Sequence, residues 1–412
     1  MGTADALMPN TKLQQRVVRT LAGAQILNGV GVAGTVAAGS LLVSSITDSE
    51  TLAGLAQTSA VLGAAALALP LARLTAHGGR RLALSVGYIS GVVGSIFAIA
   101  GGAHRNLFFM LLGTFLVGAA SAAGYQARFA AIDLATSQTR AKQLSFVVWG
   151  STIGAVAGPN LMDPSGNLAE HFNLPRLVGP YLVSATTLLF ATIVVQIFLR
   201  PDPYLTAEKQ AQVVQHKGST KAALSHIRSN PNALFAISAI AIGHVAMVSV
   251  MVMTPIHMKH VDVSLRIIGF VISVHVLGMY AFSPIVGALS DRLGRVRVIQ
   301  IGLVILLLST IVAGTAAADN AIQLGVGLFL LGLGWSCTLI AGSAYLSESV
   351  SVEMRPASQG ASDLVMNLAG AGGGALAGVI IGTLTYGWLC LFAAIPVLVL
   401  GFKSMKVLRA VQ

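Results

Sequence analysis

Residues 287–295 read Gly287-Ala-Leu-Ser-Asp291-Arg292-Leu-Gly294-Arg295, a short charged turn between two long apolar stretches. Its glycines permit a tight reversal of the chain. Asp291 can meet the positive N-terminal end of a neighbouring helix, and Arg292 and Arg295 can bridge helices on the side where the turn lies. The flanking stretches, near 267–286 and 298–318, each have the length of about 20 residues that crosses a ~30 Å hydrocarbon core.

Working outward, ten further stretches of that kind fall near 21–46, 52–72, 82–103, 107–127, 144–163, 177–199, 232–255, 321–346, 359–382 and 385–402. The composition agrees. Of 412 residues 55% are apolar and 9% charged, against roughly 25% charged in soluble domains, and the mean hydropathy is +0.80. The 45 glycines suit helices that must approach closely in lipid. The expected fold class is an all-α membrane protein of twelve transmembrane helices in two six-helix bundles. Cys337 and Cys390 lie inside apolar runs and read as core residues.

The net charge of +11 is explained by topology. Numbering the loops alternately from a cytoplasmic N-terminus puts 21 of the 25 Lys and Arg inside, leaving Arg105, Arg176, Lys259 and Arg266 outside. That is the positive-inside pattern, so both termini are expected in the cytoplasm and no nucleic-acid partner is implied. Polar residues 1–20 lead directly into a span too long for a cleavable signal peptide.

Residues 200–231 form the longest polar stretch and divide 1–199, an N-terminal bundle, from 232–412, a C-terminal bundle. A shift of 215 residues carries Gly79-Arg80 onto Gly294-Arg295, Asp133 onto Glu348, Arg140 onto Arg355 and Gly158 onto Gly373. Parallel repeats of six spans place a substrate site near the midplane between the halves. With this context the turn at 287–295 resembles the cytoplasmic loop signature of major facilitators. The resemblance implies a gating role for Asp291, Arg292 and Arg295. The first-half copy departs from it, with Ala76 and His77 where Asp291 and Arg292 would align, so Asp291 is expected to carry more of the latch. Gly154-Ala-Val-Ala-Gly158-Pro159 resembles part of an element of proton-coupled drug exporters, although small-residue packing with a helix bend is the simpler explanation.

Two spans carry an unusual stripe. His244, Met247 and Met251 fall within about 60° of one another on one helix face at ~100° per residue, and His275 and Met279 form an i, i+4 pair in the next span. His257, Met258 and His260 follow Pro255 and are expected at the outer mouth. Thioether and imidazole are soft ligands suited to Cu(I), although methionine also fills gaps in apolar cores. Met247-x-x-x-Met251 followed by His275-x-x-x-Met279 resembles the paired signature of the CcoA-like bacterial copper importers, a group also thought to include riboflavin importers. The resemblance implies a copper ligand set of Met247, Met251, His275 and Met279, with His244, His257, Met258 and His260 auxiliary or at the entry. It implies copper import across the bacterial inner membrane for assembly of haem-copper (cbb3-type) oxidases. Copper would be substrate rather than cofactor, passed to a cytoplasmic acceptor by a carrier expected to be monomeric. The alternatives are a riboflavin or other small-molecule importer and a proton-coupled multidrug exporter.

Asp363 is the one acid well inside a span, with Asn367 a turn further on; intramembrane acids tend to be functional. Asp363 reads equally as a proton-coupling group or as a partner of Arg355 or Arg128. Gln25, Asn28 and Gln57 could line a cavity or bond between helices. No enzyme constellation is recognisable, with no H-E-x-x-H, phosphate loop or G-x-S-x-G.

Overall fold

A computed structural model of the chain describes residues 11–49, 52, 54–211, 225, 227–259 and 265–411. Among these no strand occurs. The first half comprises α1 (Thr11–Thr47), α2 (Leu55–Ala103), α3 (Leu107–Ala130), α4 (Arg140–Asn160), α5 (Met162–His171) and α6 (Gly179–Phe198). A short α7 (Pro203–Gln210) follows within the polar stretch. The second half comprises α8 (Pro231–Lys259), α9 (Leu265–Tyr280), α10 (Ser283–Leu293), α11 (Arg295–Gly314), α12 (Ala321–Glu348), α13 (Arg355–Thr383) and α14 (Tyr386–Val411).

Ten helices are long and apolar enough to cross a membrane, and the bent pair α4–α5 makes an eleventh span. The twelfth is hidden in α2. Its 49 residues are interrupted at Gly79, whose φ of 82° and ψ of 177° are not helical. A Cβ on Gly63 would strike the Phe115 carbonyl, and one on Gly94 would strike that of Gly113. Both arms of α2 therefore lie against the same part of α3, which requires the helix to fold back at Gly79. Gly294, at φ 93°, makes the equivalent turn between α10 and α11. Both positions need glycine because positive φ burdens a side chain with its Cβ.

The surface is inverted relative to a soluble protein. Ile96, Phe190, Ile311, Leu376 and Val379 are each more than half exposed, whereas Arg80, Gln126 and Asp363 are buried. Lipid takes the place of water around the outer helices, and polar groups collect inside where other side chains can satisfy them. Between the halves, α2 packs on α13 and α4 on α10. Gly360 and Gly287 allow these approaches, since a Cβ would meet Ala72 at 2.4 Å and the Ser145 hydroxyl at 2.3 Å respectively.

Two expected spans are not continuous. The fifth ends at Asn160, and α5 leaves it at 58°. The eighth breaks between Tyr280 and Ser283, with a proline in the first turn of α10, a position where its missing N–H costs nothing. The glycine element of α4 serves close packing: Gly154 and Gly158 face Gly29 and Gly34 of α1, with 2.5 and 2.7 Å left for a Cβ.

Candidate functional site

A cavity of about 830 Å³, including its mouth, lies between the halves. From α1 it receives Gln25 and Asn28, from α3 Tyr125 and Arg128, and from the second half Tyr280 and Trp335. The i, i+3 spacing within α1 and within α3 puts each pair on one helix face. Gly124 is what lets α3 accommodate Asn28, because a Cβ there would fall 2.4 Å from Asn28 Nδ2. Gln25 Nε2 donates to Ser151 Oγ at 2.9 Å. The oxygens of both amides, Gln25 Oε1 and Asn28 Oδ1, are buried and accept no hydrogen bond among the described residues. The Trp335 ring is fixed on two sides. Its Nε1 donates to His244 Nδ1 at 3.1 Å, and Tyr280 meets it edge-on at 5.7 Å. A second chamber of about 650 Å³ shares Val32, Ser121 and Tyr125 with the first and has Gln57 and Asn367 in its wall.

The arginine-rich end of the molecule is closed. Asp291 Oδ1 and Oδ2 accept from the backbone N–H groups of Ala141 and Lys142 at 3.0 and 2.8 Å, so this carboxylate caps the first turn of α4 across the halves. Arg295 pairs with Asp291 at 2.8 Å and with Glu348 at 2.8 Å, and also donates to the Ser137 carbonyl. Arg140 reaches Glu348 at 3.3 Å. Arg292 is exposed and makes no such contact among the described residues. In the first half Arg80 holds Asp133 through two bonds, of 2.8 and 3.1 Å, and extends to Gln359 of the second half at 2.6 Å.

Asp202 supplies what Ala76 lacks. It accepts from Arg81 N–H at 2.7 Å while capping α7 through Tyr204 and Leu205 N–H. Sequence reasoning missed it because it lies 126 positions beyond Ala76, outside the aligned loop. Deeper in, Arg128 of α3 bonds Asp363 of α13 at 2.5 Å and Ser343 of α12 at 3.2 Å.

The soft-ligand residues are placed elsewhere. Helix α9 runs along α12, which packs on α8, while α8 and α9 touch only sparsely. His275 is buried, and its Nδ1 lies 2.8 Å from the Leu328 carbonyl of α12. Met279 is buried beside it, with its backbone N 2.7 Å from where a Cβ on Gly332 would stand. Met247 is buried and Met251 partly so. Among the described residues, neither chamber's wall includes any of the four. His275 Nε2 has no hydrogen-bond partner among them. His244 stands behind Trp335 rather than in the wall.

Of the expected entry residues beyond Pro255, two are described. Met258 is fully buried, where its apolar thioether packs with the core. His257 stacks on Tyr386 with centroids 4.4 Å apart, and His260 lies outside the described residues. The aromatic wall of Tyr125, Tyr280 and Trp335 was not anticipated; the spacing of Tyr125 from Arg128 was its only signal.

Two six-span bundles around a polar cavity, closed at one end by ion pairs, define a secondary transporter of the membrane. The chain belongs to the Major Facilitator Superfamily, whose sequence profile matches residues 21–265 and 246–410. It is 34% identical over 390 residues to the uncharacterized MFS-type transporter YdeG of Bacillus subtilis (strain 168), covering 94% of this chain and 91% of that one. It is 28% identical over 307 residues to the riboflavin transporter RfnT of Brucella anthropi, covering 74% of each. Among solved structures, the E. coli fucose:proton symporter FucP superposes with a TM-score of 0.74 at 13% identity, over 94% of this chain and 98% of that one. FucP in the outward conformation gives 0.72 at 14% identity, over 95% and 99%. At these identities the structural likeness concerns the fold.

Proposed function

We propose that this protein imports a small planar organic molecule carrying N–H or O–H donors, with riboflavin the first candidate, across the bacterial inner membrane. The observation that carries the reading is the pair of unpartnered amide oxygens, Gln25 Oε1 and Asn28 Oδ1, in a cavity walled by Tyr125, Tyr280 and Trp335. Buried acceptors without donors are costly, and a ligand that supplies the donors relieves that cost. Aromatic faces bind a flat ring by stacking. The relationship to RfnT, a riboflavin transporter, agrees with this chemistry.

With the arginine-rich end in the cytoplasm, as the positive-inside rule directs, the halves stand in an outward-facing state. Transport is alternating access by rocking of residues 1–199 against 232–412 about the cytoplasmic linker 200–231. Asp291 and Arg295 hold the cytoplasmic end shut between cycles.

Copper import is the second reading. One observation favours it: the buried, unpartnered Nε2 of His275, close in sequence to Met279. A dry lone pair with a thioether neighbour is chemistry that Cu(I) accepts.

Both readings are tested in one experiment, accumulation of radiolabelled riboflavin and of radiocopper in cells expressing the protein. Saturable riboflavin uptake that is lost in Trp335→Leu and kept in Met279→Leu is expected. Leucine preserves volume at 279, so packing changes by less than about 1.5 kcal/mol. Copper uptake abolished by Met279→Leu, with no riboflavin uptake, would reverse the assignment. Energy-dependent loss of preloaded label would show export instead.

A further inference from the structure

Asp363 and Arg128 form an ion pair that the transport cycle cannot leave intact. Arg128 Nη2 lies 2.5 Å from Asp363 Oδ1, and the two belong to different halves. Asp363 is fully buried and Arg128 is 2% exposed, yet Arg128 stands in the wall of the central cavity and Asn367, one turn beyond Asp363, stands in the wall of the adjoining chamber. When the halves part at the arginine-rich end, this bond must break. Two bare charges left in a medium of low dielectric constant are strongly unfavourable. Neutralising the carboxylate removes one of them.

The other buried acid among the described residues has no such need. Asp133 is held by Arg80 within its own half and travels with it as the halves separate. The groups around Asp363 are few. From α3 come Arg128, Tyr125 and Gln126, the last donating to Oδ2 at 3.3 Å. From α2 comes Arg80, which bonds Gln126 at 3.1 Å and Gln359 at 2.6 Å. From α12 comes Ser343, bonded to Arg128 at 3.2 Å. Tyr280 of α9 lies near Arg128, and His244 of α8 meets α13 at Gly370, two turns away. Within α13 itself, Asn367 Nδ2 donates to the Asp363 carbonyl at 2.7 Å. Among the described residues, Asp363 is the one carboxylate in this shell.

We propose that Asp363 is a proton-binding site whose occupancy releases Arg128 and permits the arginine-rich end to open, so that transport carries one proton per cycle. A proton from water in the cavity adds to the Asp363 carboxylate, and Arg128 keeps its own charge and turns to cavity water. The halves part, Asp363 meets water on the arginine-rich side and gives up the proton there. The carboxylate then re-forms its bond to Arg128 as that end closes. This rests on the transport reading only in taking the two halves to alternate, and it deepens that reading by naming the coupling ion. The linkage is reciprocal: whatever favours separation favours protonation.

The test needs no substrate. Spin labels placed through His77→Cys and Arg297→Cys, both exposed positions on the arginine-rich side, report the separation of the halves in the full chain in lipid nanodiscs. Between about pH 8 and about pH 5, a range that runs from above the imidazole reference value to within about one unit of the aspartate one, the widely separated population should rise at least tenfold in the otherwise native chain. In Asp363→Asn, which is neutral at both ends of the range, it should be high throughout and change less than twofold. Asp363→Glu should restore the response. Arg128→Gln, which abolishes the pair from the other side, should also be wide throughout, and it decides the matter if the asparagine variant aggregates. A native-like pH response in Asp363→Asn or Arg128→Gln, or no response in the native background, would overturn the proposal. A pH response in a protein that takes up no riboflavin would leave it standing and refute only the choice of substrate.

Discussion

Asn28 shows how much of the candidate site depends on single contacts. Its amide is admitted by Gly124 and its oxygen is left without a donor, an arrangement whose cost a bound ligand's N–H or O–H would offset. Asn28→Leu keeps the branching at Cγ and removes the acceptor. Loss of one neutral hydrogen bond at about 0.5–1.5 kcal/mol raises the KM for uptake by roughly twofold to twelvefold. Uptake assays at varied riboflavin concentration check this, and an unchanged KM would place Asn28 outside the binding surface. Gln25, Asn28 and Gln57 could be singled out from sequence because amides are scarce in apolar spans. Trp335 and Tyr280 could not, since an aromatic ring in a membrane helix is equally at home against lipid or a cavity. What distinguishes Trp335 is the bond from its indole to His244, 91 positions away. The methionine and histidine stripe shows the same limit from the other side. One helix face was legible for α8 and another for α9, but which neighbour each face meets was not.

At the level of elements, hydropathy alone located nearly all the spans, because a helix must present apolar side chains to lipid wherever it lacks protein neighbours. It could not show where a span bends. The break after Asn160 and the one before Ser283 depend on what the following helix packs against, and in both places the only sequence sign is a proline nearby. The hairpin of α2 with α3 is the most closely packed unit of the first half. Gly113 faces Gly94 and Ala98, with backbone atoms only 2.6 and 2.5 Å, respectively, from a would-be Cβ. Gly113→Val forces the arms apart, and overpacking of this kind costs about 1–3 kcal/mol. A fall in Tm of the purified protein, with Gly325→Val as a control in open space, is the expected result. Equal behaviour of the two would mean that the helices separate without strain.

For the whole molecule, closure of the arginine-rich end is shared between a helix cap and a set of ion pairs. Asp291→Asn retains acceptor oxygen but loses the charge that faces the positive end of α4, an effect worth about 0.3–1 kcal/mol, and it weakens the pairing with Arg295. Turnover should fall several-fold while substrate binding in detergent is unchanged; parallel loss of both would point to misfolding. The constant offset of 215 residues found in the sequence reappears as geometry. Arg80 with Asp133 and Arg295 with Glu348 are the same pair in the two halves, each 2.8 Å long and each separated by 53 positions. Arg128 and Ser343 are also 215 apart, and these two touch each other. A position that contacts its own counterpart lies on the axis relating the repeats. In a symmetric dimer of separate halves such a contact is isologous, so an arginine there would face an arginine. Joining the halves in one chain lifted that constraint, leaving a cation on one side of the axis and a hydroxyl on the other. The centre of this transporter is thus a place where duplication had to be followed by divergence before a charge could be put to use.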